Sequence, residues 1–278
     1  MDAAIALIGF GEAGRTFAQA AGWGARARAF DIEPARRADM ERAGVVASAT
    51  EKEALRGARL VLCLVTADAA LKAAQDYAAL LEHGAIWCDM NSVAPDTKRA
   101  AAAAIEAAGG CYVDVAVLAP VEPARMNVPL LVAGAAAGNA ADDLRNAGFA
   151  NVRTVGGEVG RASAIKMIRS VMVKGIEALT AEMMLAANAA GVAEEVLVSL
   201  DASEKPQSWF VRAAYNIERM ATHGRRRAAE MEESAKTLAG LGVSPVMTGG
   251  TVERQRNQAG HAIPTPPKPI ARSEETAE

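Results

Sequence analysis

Residues 1–14, MDAAIALIGFGEAG, specify the fold of this chain more firmly than any other segment. An apolar run from Ala3 to Ile8 leads directly into a G-x-G-x-x-G pattern, and a helical pattern follows it. A strand, a tight glycine turn and a helix in this order are typical of dinucleotide binding, because the free N–H groups of the helix start face the phosphates. The residues predicted to contact the cofactor in this turn are Gly9, Gly11, Glu12, Ala13 and Gly14.

Asp31 strengthens this prediction. It ends the second apolar stretch, Ala27 to Phe30, about 20 residues after the glycine pattern, where an acidic residue binds the ribose hydroxyls. A carboxylate there accepts both hydroxyls and repels a 2′-phosphate, which favours NAD. Arg36 and Arg37 follow closely, and they could instead serve NADP.

The composition narrows the classes of partner. The chain has 278 residues, of which 51% are hydrophobic and 23% charged, with a net charge of −3, so we expect neither nucleic acid nor a membrane surface as partner. No secretory pattern precedes the first strand, which makes the cytoplasm the expected location. The three cysteines lie far apart and match no metal-binding spacing, so no metal site is predicted.

The first half of the chain alternates strand and helix patterns, which predicts an α/β domain with a doubly wound parallel sheet over residues 1–157. Residues 158–262 are expected to form an all-helical domain, with helices near residues 162–190, 193–200, 209–219 and 225–241. The first of these is apolar on nearly all sides, which predicts burial in its own domain or against the partner chain of a homodimer. Residues 263–278 are expected to be a flexible proline-rich tail.

Lys166 is the candidate acid or base. It lies one turn inside the apolar helix, and desolvation of a lysine lowers its pKa into the range useful for proton transfer. The alternative is a lysine that reaches solvent or pairs with a carboxylate. Ser170 lies on the same helical face, four residues further on, and could bind a substrate oxygen.

The chain resembles the β-hydroxyacid dehydrogenase superfamily, which includes 6-phosphogluconate and 3-hydroxyisobutyrate dehydrogenases. The resemblance rests on the glycine turn, on the segments starting at Asp89 and Asp114, and on Gly157 to Lys166, which is similar to the family's G-x-x-G-x-x-x-K segment. It implies that Lys166 is the general acid/base. It also implies that Val65 and Thr66 contact the cofactor, and that Asn91 and Ser92 lie near the nicotinamide and the substrate.

Two segments depart from the family pattern. Where the family has Ser-Gly-Gly to hold the substrate, this chain has Leu118-Ala119-Pro120, and Arg169-Ser170 stands where the family has asparagine. The candidate substrate contacts therefore differ in chemistry from the family's Ser-Gly-Gly and asparagine, and they are Leu118, Ala119, Pro120 and Arg169. His223 begins a basic cluster at an expected helix start, and it could recognise an anionic substrate from across a dimer or simply be solvated.

Three functional hypotheses follow. The first is an NAD(P)-dependent oxidoreductase that transfers hydride between nicotinamide and a small hydroxy acid or related alcohol/carbonyl substrate. The second is an enzyme of the imine-reductase type that reduces a C=N bond, since the acid-binding Ser-Gly-Gly is absent. The third is a non-catalytic dinucleotide sensor, because a fold alone does not establish activity.

Overall fold

The computed structural model describes residues 5–204 and 206–261. Its first part contains one eight-stranded sheet in the order β3-β2-β1-β4-β5-β6-β7-β8. All neighbouring strands are parallel except β6 and β7, which are antiparallel. The strands are β1 (Ile5–Ile8), β2 (Ala27–Phe30), β3 (Val46–Ala47), β4 (Leu60–Cys63), β5 (Ile86–Asp89), β6 (Cys111–Val117), β7 (Leu130–Ala133) and β8 (Val152–Gly156).

Helices cover both faces of this sheet, which confirms the predicted doubly wound α/β fold. Phe17 and Leu144 pack on one face, and Leu55 and Ile105 pack on the other. The helices of this part are α1 (Glu12–Ala21), α2 (Arg36–Arg42), α3 (Glu51–Leu55), α4 (Ala70–Tyr77), α5 (Pro95–Ala107), α6 (Val121–Ala124) and α7 (Ala137–Asn146).

The strand order reverses beside β1, which pairs with β2 on one side and with β4 on the other. In open α/β sheets, ligands bind outside the carboxyl ends of the strands at such a reversal. The carboxyl ends of β1 and β4, followed by Gly9 and Leu64, therefore mark the expected ligand position.

Four further helices follow the sheet. They are α8 (Arg161–Ala190), α9 (Ala193–Ser203), α10 (Trp209–Gly240) and α11 (Val246–Gln258). The chain forms two compact units that divide between Val171 and Met172, inside α8. The all-helical character of the second unit confirms the predicted carboxyl-terminal architecture, whereas the domain boundaries at 157 and 262 remain predictions and 263–278 lies outside the described residues.

The sequence prediction was wrong about the helix breaks in the second unit. It expected separate helices at 209–219 and 225–241, but α10 is continuous from Trp209 to Gly240. Gly224 lies inside this helix and is buried. It packs so closely on α11 that a Cβ there would lie 2.2 Å from the Gln255 backbone oxygen. The glycine therefore permits a close helix–helix contact rather than a helix start.

The prediction also missed α11, whose first turns contain Thr248-Gly249-Gly250-Thr251. A buried carboxylate on α8 compensates for these weak helix formers: Glu182 accepts hydrogen bonds from the Met247 N–H (2.7 Å) and the Thr248 N–H (2.8 Å). The Thr248 hydroxyl donates a third hydrogen bond at 2.6 Å. Glu182 thus stabilises the start of α11 from a distant part of the sequence.

The positions of the cysteines and the lengths of the helices are relevant to metal binding and to membrane spanning. Cys63 and Cys88 are buried in strands, and Cys111 is half-buried. Within residues 5–204 and 206–261, no cluster of three or more His, Cys, Asp or Glu residues could hold a metal ion. None of the helices in the same part of the chain combines the length and the hydropathy needed to cross a bilayer.

Candidate active site

The glycine turn joins the end of β1 to the start of α1. Gly9 has φ +91°, and a Cβ on it would lie 2.6 Å from the Leu64 carbonyl oxygen, so only glycine fits there. A Cβ on Gly14 would lie 2.8 Å from the Gly9 carbonyl oxygen, which explains the third glycine of the motif. Half-buried Ala13 packs against the core beside it. The turn and the first helix are therefore held close to both β1 and β4.

Gly11 has the opposite surroundings, because nothing lies within 4 Å of where its Cβ would be. Its open side faces a cavity of about 450 Å³ at the carboxyl ends of the strands. A dinucleotide phosphate needs such a close approach to the backbone, so the residues present fit the predicted cofactor. The cavity brings together six of the predicted cofactor residues: Gly9, Gly11, Glu12, Asp31, Val65 and Thr66.

Asp31 has a structural task that the sequence did not reveal. One carboxylate oxygen accepts a hydrogen bond from the Phe10 N–H at 2.6 Å, inside the glycine turn, and the other accepts one from the Glu33 N–H at 2.8 Å. Each oxygen retains a further lone pair for a ligand hydroxyl. Asp31 thus fixes the turn while its carboxylate lines the cavity.

The basic residues near the cavity are paired with acids. Arg36 forms ion pairs with Glu33 (3.0 Å) and Asp39 (3.6 Å), and Lys72 bonds Asp76 at 2.7 Å. Arg37 pairs with Glu41 at 3.4 Å. The charged lining of the cavity comprises four acids and two bases: Glu12, Asp31, Glu33, Asp76, Arg36 and Lys72. An additional phosphate would meet a net negative surface there.

Lys166 meets one of its predicted neighbours directly. Its Nζ donates to the Ser92 Oγ at 2.5 Å, joining the second turn of α8 to the loop after β5. Lys166 and Ser170 are half-buried, and Ser92 is exposed. The amine therefore lies at the surface of the first unit, where a ligand can reach it, rather than in the apolar interior that the sequence suggested.

Arg169 lies three residues further along α8 and contacts Leu118, in the segment that replaces the family's Ser-Gly-Gly. Its guanidinium donates to the Leu118 carbonyl at 3.2 Å, while Leu118 and Ala119 are half-buried and Pro120 is exposed. No carboxylate of the described residues forms an ion pair with Arg169, so its charge is available. The structure thus brings Arg169 and Leu118 together beside Lys166.

Asn91 is buried, and its N–H groups are hydrogen-bonded to other residues of the protein. Its carboxamide donates to the Asp89 carboxylate at 2.7 Å and to the Cys63 sulfur at 3.3 Å, and its backbone N–H donates to Asp89 at 3.0 Å. Its own Oδ1 is buried and has no partner among the described residues. Burial and the charge of Asp89 raise the pKa of the Cys63 thiol to about 12, so this sulfur stays protonated.

Sequence reasoning missed a buried charge cluster beneath these groups. Lys98, Asp89 and Asp114 are each no more than 1% exposed, and the Lys98 Nζ lies 2.9 Å from Asp89 and 3.5 Å from Asp114. Asp89 ends the apolar strand β5 and Asp114 lies in the middle of the apolar strand β6, and an acid in such a strand signals a buried cation partner. Lys98, however, stands in the polar sequence Asp96-Thr97-Lys98-Arg99 and reads as a solvated helix start.

His223 lies in the second unit, exposed on the surface of α10 and far inside that helix. The expectation of a helix start at this basic cluster was therefore wrong. Its role in substrate binding remains a prediction.

Comparison with known proteins agrees with this geometry. Residues 4–146 match the family described as the NAD binding domain of 6-phosphogluconate dehydrogenase, and residues 187–258 match a domain of unknown function (DUF1932). The chain is 38% identical to a conserved hypothetical protein from Sinorhizobium meliloti 1021, covering 92% of this chain and 88% of that one with a TM-score of 0.62.

Two other solved structures cover nearly the whole chain. A conserved protein of unknown function, described as structurally similar to 3-hydroxyacid dehydrogenases, is 29% identical with a TM-score of 0.61, covering 91% of this chain and 96% of that one. An imine reductase from a Pseudomonas species has a TM-score of 0.74 at 17% identity, covering 92% and 93%, and shares the fold. The glycine turn, the cavity at the carboxyl ends of β1 and β4, and the match over residues 4–146 together establish that this chain belongs to the family of the NAD-binding domain of 6-phosphogluconate dehydrogenase.

Proposed function

We propose that this protein is a nicotinamide-dependent oxidoreductase in which Lys166 is the general acid/base. The observation that carries the proposal is the contact between the Lys166 Nζ and the Ser92 Oγ. This contact joins an amine that can transfer a proton to a hydroxyl just beyond the carboxyl end of β5. The carboxyl ends of the parallel strands are where a dinucleotide binds in this kind of sheet.

The residues of the chain then divide the work. The nicotinamide accepts or supplies the hydride when it is bound. Lys166 in its neutral form takes the hydroxyl proton of an alcohol substrate as the carbonyl forms, and in the reverse direction it returns that proton to the oxygen. Ser92 orients the amine, and Ser170, one turn further along α8, is placed to bind a substrate oxygen.

Arg169 supports an acid as the substrate. Its guanidinium is anchored by the Leu118 carbonyl and has no ion pair among the described residues, so it can take over the carboxylate recognition that Ser-Gly-Gly provides in the family. A small hydroxy acid and the corresponding oxo acid fit this arrangement. Reduction of a C=N bond is the second candidate, favoured by the loss of that segment and by the fold shared with imine reductases.

The test is a turnover panel of hydroxy acids, oxo acids, aldehydes and cyclic imines, run with wild type, Lys166→Ala and a control. The control is Lys174→Ala, which removes an exposed lysine two turns further along α8. We expect Lys166→Ala to lower kcat by about 10²–10⁴-fold while NADH binding survives, and Lys174→Ala to behave as wild type. Turnover of imines alone would select the second candidate. Tight NADH binding without turnover of any substrate would instead indicate a dinucleotide sensor.

NAD is the proposed cofactor, because Asp31 lines the cavity and the arginines near it are already paired. Replacing Asp31 by serine should raise the NADP/NAD ratio of catalytic efficiencies by at least about tenfold, since a repulsive charge is removed. Absolute affinity should fall for both cofactors, because Asp31 also holds the Phe10 N–H. If NADP were the natural cofactor, Arg36→Ala would instead weaken NADP alone.

A homodimer is proposed because the second unit has little apolar core of its own. Its buried apolar residues, among those described, are Ala186, Ala187, Ala228 and Val252. Large apolar side chains are exposed along α8, α9 and α10: Ile176, Leu179, Leu185, Leu197, Val198, Leu200, Trp209, Phe210, Val211 and Tyr215. Such a surface is typical of an interface between subunits. Sedimentation equilibrium should give a dimer, and a fully active monomer would contradict the proposal.

A further inference from the structure

Lys98 is a fully buried charge that the proposed reaction does not use. It projects from α5 and is 0% exposed. Its Nζ donates to the Asp89 backbone carbonyl at 2.6 Å and lies 2.9 Å from the Asp89 carboxylate and 3.5 Å from that of Asp114. Buried ion pairs are often no more stabilising than apolar residues of the same volume, so their presence calls for another reason.

Asp89 connects this cluster to the loop that carries Ser92. The carboxylate accepts from the backbone and side-chain N–H groups of Asn91, and its other oxygen accepts from the Tyr112 hydroxyl at 2.7 Å. Burial and the charge of Asp89 raise the pKa of Tyr112, so this hydroxyl remains a donor. Asn91, the residue directly before Ser92, is therefore fixed by two hydrogen bonds to a carboxylate that Tyr112 and Lys98 hold in place.

Asp114 connects the same cluster to the helix that carries Lys166. It lies beside Asp89 in the sheet register, and its Oδ2 accepts from the Gly160 N–H at 3.1 Å and the Ser163 N–H at 3.0 Å. These are free N–H groups at the start of α8, which a carboxylate stabilises. Lys166 follows Ser163 by three residues, so Asp114 sets the position of the turn that presents it.

We propose that Lys98, Asp89 and Asp114 form a positioning cluster, in which one buried cation joins the Ser92 loop to the first turn of α8 and thereby keeps Ser92 and Lys166 in contact. Lys98, Asp89 and Asp114 touch neither substrate nor cofactor in this role. The inference rests on the proposed function of Lys166, but its structural content, the position of one amine, can be measured without turnover.

The first variant is Asp114→Asn, which keeps the shape and one acceptor oxygen but removes the charge that faces Lys98. The readout is the reactivity of Lys166 towards a trace of acetic anhydride, measured by mass spectrometry across a pH series and relative to Lys52, an exposed lysine on α3. Ser92→Ala breaks the contact directly. We expect both variants to change the relative reactivity of Lys166 by about threefold or more, in the same direction, and Asp114→Asn to leave NADH binding unchanged.

The double variant Asp114→Asn/Ser92→Ala distinguishes positioning from general stability. If Asp114 acts through the Ser92–Lys166 contact, the double variant should change Lys166 reactivity no more than either single variant. Independent, multiplying effects would show that Asp114 only stabilises the fold, and they would overturn the proposal. So would a wild-type pH profile of Lys166 in a folded Asp114→Asn protein.

Tyr112→Phe is the milder second variant, for the case that Asp114→Asn does not fold. It removes one hydrogen bond to Asp89 and should change Lys166 reactivity in the same direction by a smaller factor; an unchanged profile would count against the proposal. Lys236→Met, which removes an exposed lysine on α10 and keeps the reference Lys52, is the control and should leave both NADH binding and Lys166 reactivity as in wild type. If Lys166→Ala retained turnover, the proposed function would fail while the labelling result on positioning would still stand.

Discussion

The two units of this protein treat charge and apolar surface in opposite ways. The first unit buries Lys98 beside two aspartates that belong to strands of an otherwise mostly apolar sheet. Nearly all large apolar side chains of this unit are buried. Among the described residues, the second unit keeps its charges at the surface, apart from Glu182, and it exposes long rows of apolar side chains. The difference indicates that the first unit is stabilised by its own core, whereas the second depends on contacts between helices and on further burial.

The largest expected effect tests the buried charges of the first unit. Lys98→Met removes the cation and leaves two buried carboxylates facing each other, which should lower the free energy of unfolding by about 3–5 kcal/mol. The matched control is Lys72→Met, which breaks the exposed pair with Asp76 and should cost less than about 1 kcal/mol. Urea denaturation of both variants measures the contrast, and equal costs would contradict it.

The next effect tests helix contacts in the second unit. Gly224→Ala places a Cβ 2.2 Å from the Gln255 carbonyl oxygen, so α10 and α11 must separate, at a cost of about 1–3 kcal/mol. Gly249→Ala on α11 is the control: nothing lies within 4 Å of its Cβ, and it should stabilise the helix by up to about 1 kcal/mol. Thermal unfolding monitored by circular dichroism shows whether each variant is more or less stable than wild type. A stabilising Gly224→Ala would refute the close contact.

The smallest effect concerns Glu182, a buried acid of the second unit. Burial alone would raise the pKa of Glu182, but hydrogen bonds from Thr248 and Met247 outweigh it and hold this pKa below its ordinary value. The carboxylate therefore contributes stability fully above the unfolded pKa of about 4.3 and loses it as the pH falls through the folded pKa. At neutral pH, Glu182→Gln should cost about 1–2 kcal/mol.

That cost should shrink as the solution is acidified below about pH 4, because the wild-type carboxyl is then protonated too. Glu177→Gln, an exposed position on the same helix, should show no such pH dependence. Denaturation of the three proteins at several pH values separates the effects. A cost for Glu182→Gln that stays constant from neutral to acidic pH would exclude this account of the capping carboxylate.

The sequence predicted those elements whose signals are local. Pro95 in the first turn and Gly109, with φ +87°, bound α5, and both are local signals of helix ends. The glycine turn and Asp31 were located from spacing alone. The sequence shows no strand pattern for the two-residue strand β3 or for β8, because their few residues form strands through pairing with neighbours. The antiparallel pairing of β6 and β7 left no sequence signal that we recognised.

The candidate site follows the same rule. Lys166 was identified from its place in an apolar helix and from the resemblance, and Ser92 from the resemblance. Their contact could not be predicted from residues 74 positions apart. Lys98 escaped notice because burial of a lysine depends on two aspartates that only the sheet register brings side by side. Similarly, α11 is helical because Glu182 caps it from α8, which no local propensity encodes.

The edges of the sheet have a consequence for self-association. One edge, β3, is only two residues long, and the other, β8, carries exposed Arg153 and Thr154. The Arg145 guanidinium donates to the Val152 carbonyl at 2.9 Å and so occupies a backbone acceptor of that edge. Short, charged and partly blocked edges resist strand addition and the aggregation it causes. A continuous sheet running from one molecule into the next is thereby disfavoured.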